Sequence, residues 1–177
     1  MRFFIPTILT HSVFFTWAVR LDSSVAARSQ HCDNAPSTVA GTNFNPRSLP
    51  VARVGIRKST NTVLWCAPGS ETYVILTMTG VAVERAILNM LNAAAGYAEE
   101  SIRQYGDIVI PDGGVEYNSL ITGISFSTSN SNNHQQTFGV LAAAIEAIKG
   151  YMTQNYFGRA TFYIFDGNSE VGKGEIG

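Results

Sequence analysis

Apolar residues recur at intervals of three and four along two stretches of the chain and alternate with polar ones along several shorter stretches. Over residues 81–105, Val83, Ile87, Leu91, Ala94, Ala98, Ile102 and Tyr105 form one stripe, and Glu84, Arg85, Asn92, Glu99 and Arg103 fill the rest of the wheel. That spacing predicts an amphipathic helix stopped by Gly106. Phe138, Leu141, Ile145, Ile148 and Met152 repeat the pattern, so a second helix is expected, with Gly158 placed to end it. Between and around the helices, residues 52–57, 63–66, 73–78, 108–110, 120–127, 160–165 and 171–176 read as strands, because they are β-branched, aromatic or alternating and are bounded by Pro, Gly, Asn and Asp. The polar tract 127–133 is expected to be an exposed loop. Strands that meet through short turns rather than crossover helices pair antiparallel. The expected fold class is therefore α+β, a two-layer sandwich with a mostly antiparallel sheet and two helices on one face.

The first residues break this pattern. Met1 and Arg2 precede an apolar run over 3–19 that ends near Ser24, Val25, Ala26 and Ala27, the layout of a secretory signal peptide over residues 1–27. Removing it takes away Arg2, Arg20 and Asp22, which leaves 10 basic and 12 acidic residues and a net charge of -2. So mild an acidity gives no broad cationic face for nucleic acid or an anionic membrane. Residues 28–50 show no apolar period and read as an irregular N-terminal arm, followed by a single α+β domain over 51–177. Two cysteines, Cys32 in the arm and Cys66 in an apolar stretch, make an even count in a chain expected outside the cell, and a disulfide between them would pin the arm to the core. There is no N-glycosylation sequon in the chain.

The chemistry-bearing residues do not assemble into a catalytic set. The segment from Gly167 to Gly174 mimics a phosphate-binding loop in its glycine and lysine spacing, but no Ser or Thr follows the lysine and no helix follows the loop. Asp166, Asn168 and Glu170 alternate like the first calcium ligands of an EF-hand, but Val171 stands where the bend needs glycine. A hairpin turn accounts for both. Glu99 and Glu100 are adjacent on a helix and point apart. His134 has no neighbour at ligand spacing and reads as a helix-start residue, which leaves a site drawn from distant residues such as Asp112, Glu116 and His134 to the fold to decide. No catalytic residue, metal or cofactor is assigned. Phe157, Tyr163 and Phe165 put bulky rings around one aromatic strand and form the candidate partner-binding patch, unless the arm covers Tyr163 and Phe165.

The ending with Tyr151, Met152, Tyr156, Phe157, Gly158, Phe165, Asp166, Gly167, Asn168, Glu170, Val171 and Gly172 resembles small secreted proteins of filamentous fungi. The resemblance covers mainly residues 138–176 and implies an extracellular protein acting on a host, a competitor or the cell's own wall. The expectation is a secreted, non-catalytic interaction protein, effector-like or toxin-like, whose partner is an extracellular protein or wall component. The alternatives are a small secreted hydrolase using Asp/Glu acid-base chemistry and a structural component of the wall.

Overall fold

The computed structural model describes residues 30–48 and 62–177. The signal peptide expected over 1–27 and the strand expected over 52–57 lie outside them. Within the arm the chain folds back on itself as β1 (His31–Cys32) and β2 (Ala35–Val39). The body continues through β3 (Thr62–Cys66), β4 (Thr72–Val81), α1 (Glu84–Tyr105), β5 (Gly114–Asn118), β6 (Ser125–Asn130), α2 (Phe138–Gln154), β7 (Gly158–Asp166) and β8 (Ser169–Ile176). Six strands form one sheet in the order β3-β4-β7-β8-β6-β5, every neighbouring pair antiparallel. Three hairpins thus share the sheet, and the last in sequence, β7–β8, takes the centre and joins the other two.

Both helices lie on one face, as the two-layer α+β reading expects. On α1 the buried positions are Ile87, Met90, Leu91, Ala94, Ala95, Ala98 and Ser101, a single stripe whose alanines let the second helix come close. α2 is apolar on most sides because it packs against both α1 and the sheet, burying Phe138, Leu141, Ile145, Ile148 and Met152 against Val74, Leu76, Phe162 and Ile164. Each large aliphatic or aromatic side chain so enclosed contributes roughly 1.5–3 kcal/mol. Trp65 meets Tyr151 edge to face with centroids 5.3 Å apart, and Tyr97 reaches both Tyr117 and Phe138 at 5.9 and 5.7 Å, tying the helices to both flanks of the sheet.

The start of α2 is capped twice. The Thr137 hydroxyl accepts from the Val140 N–H at 3.3 Å, and the Asp107 carboxylate accepts from the Gly139 N–H at 2.7 Å. A Cβ at position 139 would stand 2.5 Å from that carboxylate, so a larger residue there would displace the Asp107 side chain from this cap.

Four local expectations are corrected. The arm is not irregular throughout, since β1 and β2 pair within it. Residues 108–110 form no strand: Val109 makes a single bridge to Thr137, and a 3-10 turn over Pro111–Gly113 leads into β5, a strand the turn-rich sequence conceals. The strand expected over 120–127 begins only at Ser125 and runs on to Asn130, into the tract expected as a loop, because Phe126 and Thr128 point to the core while Ser125, Ser127 and Ser129 face the other way. Gly158 does not end the helix, which stops at Gln154. It opens β7, where the Gly80 carbonyl would lie 2.0 Å from any Cβ.

Candidate functional site

The face of the sheet away from the helices is divided in two. Over β3, β4 and the end of β7 it is covered by the arm, whose Cys32, Ala35, Ala40 and Phe44 pack on Leu64, Cys66, Tyr73 and Phe165. Cys32 and Cys66 form the expected disulfide, with Cα atoms 5.7 Å apart. Beside it, the turn between β1 and β2 acts as a substitute neighbour for the outer edge of β3. The Asp33 N–H donates to the Leu64 carbonyl, and the Asp33 carboxylate accepts from the Leu64 N–H at 2.9 Å. The Asn34 amide accepts from the Cys66 N–H at 3.1 Å and donates to its carbonyl at 2.9 Å. An edge that would otherwise be a template for another strand is closed by one turn. At the other end of the arm, Gly41, at φ 83°, packs so tightly on the β7–β8 turn that a Cβ would fall 2.3 Å from the Gly167 carbonyl.

Among the described residues nothing covers the rest of this face, and strand register sets its contents. One row crosses the whole sheet as Glu116, Ser127, Glu175, Thr161, Thr77 and Thr62, on β5, β6, β8, β7, β4 and β3 in turn. The next row holds Ser129, Lys173 and Tyr163 before it reaches Ile75 and Leu64 under the arm. Neighbouring strands lie about 4.8 Å apart and alternate residues about 6.8 Å apart, so the rows form a polar grid. A shallow groove of about 410 Å³ runs over it, lined by Ser127, Ser129, Thr161, Tyr163, Lys173 and Glu175.

Among the described residues, none of these six side chains makes a hydrogen bond or ion pair with protein. Lys173 and Glu175 stand two residues apart on one face and do not pair. At the margins the grid is committed: Thr62 and Thr77 share a hydrogen bond at 2.9 Å, and the Glu116 carboxylate accepts from the Asn118 amide at 2.8 Å. Tyr163 is 48% exposed, its ring standing at the boundary between the arm and the open grid.

The candidate patch named from sequence is split by this arrangement. Phe165 is buried under the arm and stacked on Tyr73, Phe157 packs against the main core at the far end of β7, and Tyr163 alone of the three faces the groove. Asp112, Glu116 and His134 are not joined by any hydrogen bond; Asp112 sits at φ 59° in the 3-10 turn, and all three are exposed. Glu100 is taken up by Arg103 and Gln104 on the outer face of α1. The segment that mimics phosphate and calcium loops is the β7–β8 hairpin, where the Thr72 hydroxyl donates to Asp166 at 3.4 Å and the Ser131 hydroxyl donates to Glu170. No three His, Cys, Asp or Glu residues gather at metal-binding distance among the described residues.

Sequence reasoning missed Ser127, Ser129, Thr161, Lys173 and Glu175. The signal was present as Ser-x-Ser-x-Ser over 125–129 and Lys-x-Glu over 173–175, each a polar period of two. The fold and this face define a two-layer α+β sandwich in which the described residues leave one half of the sheet uncovered and lined by polar side chains. Compared with protein families, curated proteins and solved structures, the chain matches none of them.

Proposed function

We propose that this is a secreted, non-catalytic interaction protein, of the kind the resemblance to small fungal secreted proteins implies, and that it meets its partner through the open half of its sheet. The observation that carries the reading is the set of six uncommitted polar side chains that includes Tyr163, held on β6, β7 and β8 in the middle of the sheet. Groups fixed on strands keep their spacing without a partner, so little ordering entropy remains to be lost on binding. The disulfide supports the extracellular part, since such bonds persist in oxidising compartments.

Expression of the full chain in a eukaryotic secretory host tests both parts. The expected product in the medium has a mass beginning near Ala27 or Arg28, is alkylated only after reduction, and is captured by its extracellular target less well once Tyr163 and Ser127 are both changed to alanine. Retention in cells with both thiols free would overturn the reading.

One arrangement favours the hydrolase alternative. Glu116 and Glu175 flank Ser127 in the same row, which sets two carboxylates on one face of the sheet as acid-base glycoside hydrolysis requires. Release of reducing sugar from a glycan, abolished by Glu175→Gln, would establish that alternative instead.

A further inference from the structure

We infer that the groove on the open face takes a neutral polysaccharide chain. The inference rests on the reading above, that this face is the interaction surface, and adds the chemistry of what it holds. Hydroxyls of Ser127, Ser129, Thr161 and Tyr163 both donate and accept, the Lys173 ammonium only donates and the Glu175 carboxylate only accepts. A polyol, whose every hydroxyl also donates and accepts, satisfies such a mixed lining wherever it is placed.

Charge complementarity narrows the choice. One ammonium and one carboxylate lie in the groove and Glu116 borders it in the same row, so the site offers a polyanion no net attraction. A nucleic acid, a sulfated glycan or an anionic lipid surface would meet repulsion from both carboxylates. A protein partner fits poorly for another reason. The buried centres of protein interfaces are enriched in aromatic residues, Met and Arg and depleted in Lys, Glu and Ser, whereas the lining here includes two Ser, a Lys and a Glu beside a single outward-facing ring. Covering them with an apolar surface would strip water from groups that gain nothing in return.

Tyr163 supplies what a grid of hydroxyls lacks. Half exposed, it offers a ring face beside a polar tip, on which the C–H face of a sugar ring can lie while the sugar's hydroxyls reach Lys173 and Ser129 in the same row. The groove volume of about 410 Å³ falls within the range of small-molecule sites. An extended chain laid across the strands meets a fresh polar side chain about every 4.8 Å.

The test uses the secreted, disulfide-bonded protein and three neutral linear probes, cellohexaose, laminarihexaose and N-acetylchitohexaose, with a sulfated oligosaccharide as the charged control. Calorimetry and amide NMR are expected to show binding of at least one neutral probe, with the largest shifts at residues 127, 129, 161, 163, 173 and 175 and none from the control. Tyr163→Ala should weaken that binding about tenfold, the equivalent of roughly 1.4 kcal/mol, while Tyr163→Phe keeps it. The NMR spectrum of each variant establishes that it is folded. No binding of any neutral probe at millimolar concentration, stronger binding of the sulfated control, or unchanged affinity in Tyr163→Ala would overturn the inference. A photo-crosslinker at position 163 separates this failure from failure of the broader reading: a trapped protein removes the polysaccharide and keeps the interaction surface, whereas no trapped partner and no saccharide binding remove both.

Discussion

Tyr73 and Phe165 lie ring on ring, centroids 4.8 Å apart and planes 8° from parallel, as directly paired residues of β4 and β7 beneath the disulfide-held arm. This stack is the centre of the small second core and fixes how the arm sits. Phe165→Ala is expected to cost about 3–5 kcal/mol in urea unfolding. A double-mutant cycle with Tyr73→Leu should return a coupling of about 0.5–1.5 kcal/mol, and additive losses would show that the rings contribute only by burial.

The same stack sets a pH limit. Burial, with the Glu170 carboxylate adding to it, pushes the Tyr73 phenol up to about 12. The unfolded chain therefore loses this proton first, near pH 10, while the folded protein still holds it. Stability from Tyr73 is complete below pH 10 and is lost as pH rises towards 12. Burial also raises Tyr117 and Tyr151, so Tyr73→Phe should flatten the alkaline loss of stability without abolishing it. Chemical denaturation at a series of alkaline pH values is the measurement, and an unchanged slope would contradict the assignment.

The edge of β3 gives a third prediction. Asn34→Ala removes the groups that answer both the Cys66 N–H and its carbonyl, and is expected to cost about 1–3 kcal/mol and to speed hydrogen exchange at Cys66 and Leu64. Replacing both cysteines by serine reopens a loop with a sequence separation of 34 and should cost about 3–4 kcal/mol. Because turn and disulfide hold the same arm, the triple variant should lose less than the sum.

Gln136 offers a substitution expected to stabilise. Its side chain is fully buried over Gly172, and neither its amide nitrogen nor its oxygen has a hydrogen-bond partner among the described residues. Gln136→Met keeps the shape and removes two polar atoms from an apolar interior, so a gain of about 1–3 kcal/mol is expected in thermal and urea unfolding. A loss would show that the carboxamide is used.

Leu120 and Ile121, at the tip of the β5–β6 turn, are 98% and 96% exposed. Changing both to serine should alter unfolding free energy by no more than about 0.5 kcal/mol, because nothing is unpacked. A larger loss would mean that the tip packs against something in solution.

How much of this was legible follows from where each signal resides. Both helices declared themselves because Ile87, Leu91, Ala94 and Ala98, and later Leu141, Ile145, Ile148 and Met152, keep their periods over several turns. β6 did not, since its outward positions are serines and one of its inward positions is Thr128, leaving no contrast in hydropathy to read. The arm hairpin stayed hidden because Asp33, Asn34 and the disulfide hold it rather than apolar alternation. The open face was out of reach for a different reason. Glu116, Ser127, Glu175 and Thr161 become neighbours only through the strand order, and nothing local in the chain says that β8 lies between β6 and β7.

That strand order bears on how the chain is made. β4 and β6 have no shared neighbour until Gly158–Ile176 arrives between them, so synthesis from the amino end leaves two half-sheets that cannot be joined. The final hairpin acts as a late latch, because its arrival closes the two half-sheets into a single sheet.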